Sequence, residues 1–263
     1  MDLGLKDKVA LVAASSRGLG KAAAMELAKE GCDVVITARG EEVLYNTAEE
    51  IRQATGRNIL AVKADITVLA DIDRLVQTAL SHFQRIDILV TNAGGPRPGT
   101  FTDMSDQDWL AALELNLMSA IRLIERVLPG MRARRWGRII NITSIAVKQP
   151  LPKLILSNTA RAGLVGMAKT LSEEVAAEGI TVNNVCPGYS LTDRVRDIAS
   201  TRAEREGKTI QEIIDEIAAD IPARRLGRPE ELAALIAFLA SERAAYITGT
   251  TIQSDGGFIR SLL

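Results

Sequence analysis

The chain holds only two cysteines, Cys32 and Cys186, and a single histidine, His82, among 263 residues. Two thiols and one imidazole cannot assemble a Cys/His zinc site or a disulfide network, although a carboxylate metal site stays open and none is expected. One histidine also removes most Ser-His-acid and Cys-His schemes, because His82 would have to be the base wherever it fell. Its position at the end of a helical pattern, in Leu80-Ser81-His82-Phe83, suits a surface or capping role. Charge of one sign is missing as well: 32 Lys+Arg against 33 Asp+Glu leave a net charge of -1. No global field is available to hold a phosphate backbone or an anionic bilayer, so nucleic acid and membrane are poor partners. The longest uninterrupted apolar run, Leu232 to Ala240, is nine residues, where a span needs roughly 20. Near the start, Val9 to Ala14 is too short for a signal-peptide core and is flanked by Asp2 and Asp7. A cytoplasmic protein is expected.

What is present is order. Short β-branched runs alternate with longer stretches of 3.6-residue period along the whole length, the pattern of a parallel sheet with crossover helices. The strands expected are Lys8–Ala14, Asp33–Ala38, Asn58–Ala64, Asp87–Thr91, Gly137–Thr143, Thr181–Cys186 and Thr250–Gln253. Helices are expected near Leu19–Glu30, Glu41–Ala54, Val68–Phe83, Asp106–Leu128, Leu154–Ala177 and Pro229–Ala240. The fold class is α/β, a Rossmann-type doubly wound parallel sheet of seven strands with helices on both faces. No linker and no repeat interrupts it, so residues 1–263 read as one dinucleotide-binding domain. One segment breaks the alternation: Leu191–Ile221 is charge-rich, yet Ile210, Ile213, Ile214 and Ile217 fall on one helical face. Because it leaves the carboxyl end of a strand, where open α/β sheets bind ligands, it is expected to be a substrate lid at about 191–221.

The first strand runs into Ala14-Ser15-Ser16-Arg17-Gly18-Leu19-Gly20 and then a helix. A strand, a small-residue turn and a helix N-terminus offer backbone N–H groups and a positive dipole end to a pyrophosphate. At the end of the second strand, where an acidic residue would accept the ribose 2′-hydroxyl of NAD, the chain has Arg39. With Arg17 it supplies two guanidiniums for a 2′-phosphate, so NADP is the cofactor expected.

From about residue 5 to its end the chain resembles the short-chain dehydrogenase/reductase family, close to the bacterial 3-oxoacyl-[acyl-carrier-protein] reductases. The likeness rests on Gly18 and Gly20, Ala64-Asp65-Ile66, Thr91-Asn92-Ala93-Gly94, Asn116, Ser144, Pro187-Gly188-Tyr189-Ser190-Leu191-Thr192, Arg225-Leu226-Gly227-Arg228-Pro229-Glu230-Glu231, Thr248-Gly249 and Asp255-Gly256-Gly257. It implies that Asp65 and Ile66 meet adenine, and that Asn92, Ala93, Gly94, Pro187, Gly188, Ser190 and Thr192 flank the nicotinamide half. It further implies a homo-oligomer, dimer or homotetramer, paired through the helices Asp106–Leu128 and Leu154–Ala177, with Leu164, Val165, Ala168 and Leu171 as a stripe for the partner.

The catalytic pair departs from the family. There a tyrosine stands thirteen positions after the serine and a lysine four further on; here those positions hold Ser157 and Arg161. No tyrosine lies between Tyr45 and Tyr189, so no shift of register restores the motif. The glycine turn also begins Ala13-Ala14 where the family has Thr-Gly, so it must accept a Cβ. A tyrosine beside an ammonium can protonate an alkoxide at neutral pH, whereas a serine is a far weaker acid. Arg161 stays charged, but it can bond a ribose and place positive charge beside an oxyanion. The expected activity is NADP(H)-dependent reduction of a ketone or 3-oxoacyl substrate by a modified proton route through Asn116, Ser144, Ser157 and Arg161. The alternative is a nucleotide-binding sensor or partner subunit with lost or altered catalysis. Tyr189 is a candidate replacement acid, with a ring lining the lid hinge as its plainer role. Arg97, and the cluster Arg132, Arg134, Arg135 and Arg138, read as solvated surface charge rather than as contacts for an acidic substrate or carrier.

Overall fold

The computed structural model describes residues 2–262. Its strands are β1 (Val9–Val12), β2 (Asp33–Ala38), β3 (Ile59–Lys63), β4 (Ile88–Thr91), β5 (Gly137–Ile142), β6 (Ile180–Pro187) and β7 (Thr251–Ser254). They form one sheet in the order β3-β2-β1-β4-β5-β6-β7, with every neighbouring pair parallel. The helices are α1 (Gly18–Lys29), α2 (Glu41–Thr55), α3 (Leu69–Phe83), α4 (Asp106–Leu113), α5 (Ser119–Arg134), α6 (Ile155–Val175), α7 (Asp193–Glu206), α8 (Ile210–Ala219) and α9 (Pro229–Ala240). This is the doubly wound α/β architecture expected.

Side chains alternate across the sheet, and each face is buried. Ala10, Val12, Val34 and Ile36 join Leu27, Leu44 and Ile236 on the side covered by α1, α2 and α9. Leu11, Val35, Leu89 and Ile139 join Leu75, Leu123 and Val175 on the side covered by α3, α5 and α6. Each such Leu or Ile contributes about 1.5–3 kcal/mol by leaving water. At the amino edge the Asp87 carboxylate is fully buried; it accepts from Val9 N at 3.0 Å and is held bidentately by Arg85 at 2.7 and 2.8 Å.

Three boundaries differ from expectation for physical reasons. β1 stops at Val12, because Ala14 takes φ +46° and turns the chain out of the sheet. The helix expected over Asp106–Leu128 is broken: α4 ends at Leu113, Glu114–Met118 make a π-turn, and α5 runs on to Arg134. Within 191–221 there are two helices instead of one. Only Ala199 and Ala203 of α7 are buried, a stripe too small to register as periodic hydrophobicity. Ile213 of α8 packs on them, with Ile214 and Ile217 partly covered, while Ile210 is exposed. Leu191, Val195, Ile221, Leu226 and Phe258 tie the pair to the main body. No helix among the described residues is long and apolar enough to cross a membrane.

Candidate active site

The chain crosses from β3 over β2 and β1 to enter β4, so the sheet reverses direction of winding between β1 and β4. Open α/β sheets place ligands outside the carboxyl ends of the strands at such a point. Two cavities of about 520 and about 560 Å³ lie there and share Ala14, Arg17, Gly94, Gly95 and Arg194, which makes them halves of one groove. The turn after β1 and the turn after β4 form its floor: Asn92 Nδ2 donates to the Ala14 carbonyl at 3.1 Å.

The first half is bounded by Ser16, Arg17, Arg39, Asp65 and Ile66. Arg17 sits at the N-cap of α1 without a side-chain cap, leaving first-turn amides to face the groove. Gly18 has φ +55°. A Cβ on Gly20 would run into the Ala14 carbonyl oxygen, so α1 approaches the turn as only glycine allows. Ser15 does not line the groove. It is fully buried, its hydroxyl donating to Val12 O at 2.7 Å and accepting from Thr37 N at 3.0 Å, which fastens the turn to β2. Arg39 is largely exposed and lies 4.0 Å from the Asp65 carboxylate, so part of its charge is already answered.

The second half is bounded by Gly18, Leu19, Asn92, Ala93, Ser144, Ser157, Arg161, Pro187, Gly188 and Thr192. Ser157 and Arg161, four apart on α6, both face it, and both are buried. Arg161 has no carboxylate partner among the described residues. It donates from Nη1 to Ile142 O at 3.1 Å and Thr143 O at 3.0 Å, and from Nη2 to Ala93 O at 3.4 Å. Three of its five N–H groups are thereby committed and two remain. Burial, and after it the positive charge of Arg194, pulls this guanidinium down to about 10, so it is still a cation at neutral pH. Ser144 caps a short 3₁₀ turn, its Oγ accepting from Ala146 N at 3.1 Å.

Asn116 is placed behind the groove rather than in it. The π-turn points its side chain inward, where Nδ2 donates to Gly94 O at 2.9 Å and the buried Oδ1 has no partner among the described residues. A cavity of about 10 Å³ beside it is bounded also by Arg161, Asn92 and Ser119, room for about one water.

Other expectations resolve as follows. Ser190 is buried and pairs with Gly227 instead of facing the groove. Tyr189 does not line it either; its ring stacks edge-on against Phe258 at 5.6 Å, the packing role. Arg97 braces its own loop, donating to Asp103 O at 2.9 Å and pairing with Asp108 at 3.6 Å. Arg138 is not solvated: it is buried, lies 4.4 Å from the Trp136 ring centre and donates to Gly137 O at 2.9 Å. Arg134 is half-buried and donates to Ile86 O at 2.6 Å, whereas Arg132 and Arg135 are exposed as expected, Arg135 donating to Ala177 O at 2.7 Å. His82 is exposed and stacks edge-on with Phe83. Both thiols are buried, which pushes Cys32 up to about 12 and raises Cys186 as well. Sequence reading missed Arg194, on the first turn of α7, which borders both halves of the groove and lies 3.0 Å from where a Cβ on Gly95 would stand. It is one arginine in a charge-rich helix, and nothing local sets it apart.

Residues 13–259 match the family described as enoyl-(acyl carrier protein) reductase. The chain is 38% identical over 255 residues to the 3-oxoacyl-[acyl-carrier-protein] reductase of Escherichia coli, covering 97% of this chain and 98% of that one. To the 3-oxoacyl-[acyl-carrier-protein] reductase of Synechocystis sp. it is 37% identical over 256 residues, with the same coverage. L-Sorbose reductase from Gluconobacter frateurii, solved complexed with NADPH and L-sorbose, is similar over 100% of both chains with a TM-score of 0.97 and 36% identity. YwfH, an NADPH dependent reductase involved in bacilysin biosynthesis, gives a TM-score of 0.92 at 32% identity, covering 98% of this chain and 100% of that one. A sheet order, a switch-point groove and whole-length relatives that agree in this way mean that the chain belongs to the short-chain dehydrogenase/reductase family.

Proposed function

We propose that the groove holds NADP(H) and that the protein reduces the carbonyl of a ketone or 3-oxoacyl compound, with Ser144, Ser157 and Arg161 acting where the family uses a tyrosine and a lysine. The observation that carries this is Arg161: a buried cation with no counter-anion among the described residues, opening on the groove beside two serine hydroxyls. The residues present fit the cofactor. Arg17 and Arg39 offer charge to a 2′-phosphate, the uncapped first turn of α1 and the close approach of Gly20 suit a pyrophosphate, and Asp65 and Ile66 border the adenine end. Asn92, Ala93, Gly94, Pro187, Gly188 and Thr192 border the nicotinamide end.

When bound, the reduced cofactor would supply a hydride to the carbonyl carbon, and the alkoxide oxygen so formed takes its proton from water, completing the alcohol. The hydroxyls of Ser144 and Ser157 donate to the carbonyl oxygen, and the two free N–H groups of Arg161 hold positive charge where negative charge develops. A water between Asn116 and Arg161 would satisfy Asn116 Oδ1 and stand next to the guanidinium. The 191–221 segment acts as the lid, since Thr192, Asp193, Arg194 and Asp197 reach the groove. In this reading the protein is cytoplasmic, a dimer or tetramer of identical chains, and takes a small carbonyl or alcohol substrate without nucleic acid or membrane. Isothermal titration with NADPH, followed by NADPH oxidation against ketones and 3-oxoacyl thioesters, tests it. Tight binding without turnover on any of them would favour the nucleotide-binding alternative.

A further inference from the structure

The two cavities of the groove meet at Ala14, Arg17, Gly94, Gly95 and Arg194. With adenosine in the first and nicotinamide in the second, this shared stretch takes the middle of the dinucleotide, which is a pyrophosphate. The uncapped first turn of α1 presents its amides there. Arg194 reaches the same stretch from the first turn of α7, an element of the lid rather than of the sheet. Its guanidinium lies against the turn after β4. A Cβ on Gly95 would stand 3.0 Å from Nη1, 3.1 Å from Nη2 and 3.4 Å from Cζ, so glycine at that position leaves room for the fork. Among the described residues the Arg194 side chain makes no hydrogen bond and no ion pair, which leaves all of its N–H donors uncommitted. Asp193 and Asp197 border the second cavity only and do not pair with it. The charge it does bear on is that of Arg161, another cation, which it helps to pull down.

Resting on the reading that the groove holds NADP(H), we propose that Arg194 is a further cofactor-binding residue, its guanidinium donating to the pyrophosphate oxygens from the lid. The planar fork matches two phosphate oxygens at once, and charge assistance strengthens each bond. Arg17, the other cation of the shared stretch, is engaged with the 2′-phosphate in the same reading, so the pyrophosphate charge is left to the α1 amides and Arg194. An anionic group on the substrate is the rival occupant. Substrate meets the second cavity alone, whereas Arg194 borders both. Because Arg194 begins α7 while the α1 amides are fixed to the sheet, a pyrophosphate gripped by the two ties the root of the lid to the groove.

Isothermal titration with three ligands tests the assignment: NADPH, 2′-phospho-ADP-ribose, which keeps the pyrophosphate without the nicotinamide, and 2′-AMP, which has neither. Arg194 is exposed, so water competes for its donors and the low end of the scale for bonds to charged groups applies. Arg194→Gln should bind NADPH and 2′-phospho-ADP-ribose about tenfold more weakly than wild type and 2′-AMP equally well. Arg194→Lys, which keeps the charge without the fork, should lose less than Arg194→Gln on the first two ligands. Arg39→Asp should weaken all three, since each carries the 2′-phosphate. A variant Arg194→Gln that binds NADPH as wild type does, as a substrate-anion role would leave it, overturns the inference. So does an equal loss on 2′-AMP, or a loss on NADPH that 2′-phospho-ADP-ribose does not share. In each of those cases the NADP(H) reading stands. Wild type that binds none of the three overturns that reading and the inference with it.

Discussion

Ala14 occupies the residue position at which this chain departs most plainly from what its backbone needs. Its φ of +46° lies in the left-handed region, yet it carries a methyl group that borders both halves of the groove. A non-glycine residue there costs roughly 1–2 kcal/mol, while glycine would cost about 0.5–1 kcal/mol more in unfolded-chain entropy. The difference favours Ala14→Gly, which should raise Tm by about 1–3 °C in calorimetry at the sensitivity usual for a domain of this size. A fall in Tm would mean that the methyl packs better than its backbone suffers. Arg39 is the second residue with a measurable consequence. A hydrogen bond to a charged group contributes about 1.5–3 kcal/mol, but the Arg39 side chain is exposed and shares its charge with Asp65, so the low end applies. NADPH should bind about tenfold more tightly than NADH, and Arg39→Asp should remove that margin. Equal affinities of wild type for the two in isothermal titration would sink the assignment of the 2′-phosphate to this end.

Helix ends and helix irregularities decide what the elements contribute. At the start of α9, Glu231 accepts from Arg225 at 2.7 and 2.8 Å and from Arg228 N at 2.7 Å, closing a cap on the helix. The Arg225 guanidinium first, and the Arg228 amide second, hold its carboxyl down to about 2. A folded pKa below the unfolded one adds stability that is whole above the ordinary carboxylate range and is lost as pH falls toward the folded value. Denaturant midpoints of wild type should therefore decline from about pH 4.5 toward about 2, and Glu231→Gln should decline less over that window while starting lower at neutral pH. Parallel profiles would show that the clamp adds nothing. Elements also mark how much of the molecule was legible beforehand. β2 lies where the sequence places it, to the residue, and the doubly wound parallel sheet of seven strands follows from the alternation, because buried parallel strands and crossover helices differ in period. The π-turn at Glu114–Met118 left no trace in periodicity, so Asn116 could be chosen but not placed: an extra residue in a turn is a backbone event. Helix α7 escaped because two alanines bury too little to pattern a charged helix. Arg194 escaped with it, since its role arises from α7 lying over the groove. Ser157 and Arg161 were legible as a missing pair, but the anchoring of Arg161 to three carbonyls depends on β4, β5 and α6 meeting.

At the scale of the whole molecule, one sheet puts every residue proposed for chemistry at its carboxyl edge and leaves the outer face of α4, α5 and α6 for association. The stripe expected to meet a partner is largely unavailable: Leu164 and Ala168 are buried, and Ala168 packs against α5 and β6 residues of its own chain. What α6 turns outward is small or polar, with Ala162, Gly163, Gly166 and Thr170 exposed. Nearby, Leu110 on α4 is 68% exposed and Phe101 just before it 69%. Small residues let two helices approach closely, and exposed apolar side chains beside them supply area to bury, so the dimer or tetramer proposed above should form through this face. Gly166 separates association from folding. A Cβ added there meets nothing within 4 Å among the described residues, and replacing glycine in a helix interior gains about 1 kcal/mol of intrinsic propensity. Gly166→Arg should therefore keep or raise the stability of the single chain while a long side chain blocks a close helix contact. Light scattering at micromolar concentration should give wild type a mass of two or four times 28.3 kDa and Gly166→Arg a smaller one. Wild type at the mass of one chain would end the proposal of an oligomer, and a Gly166→Arg protein that still assembles like wild type would move the interface off α6.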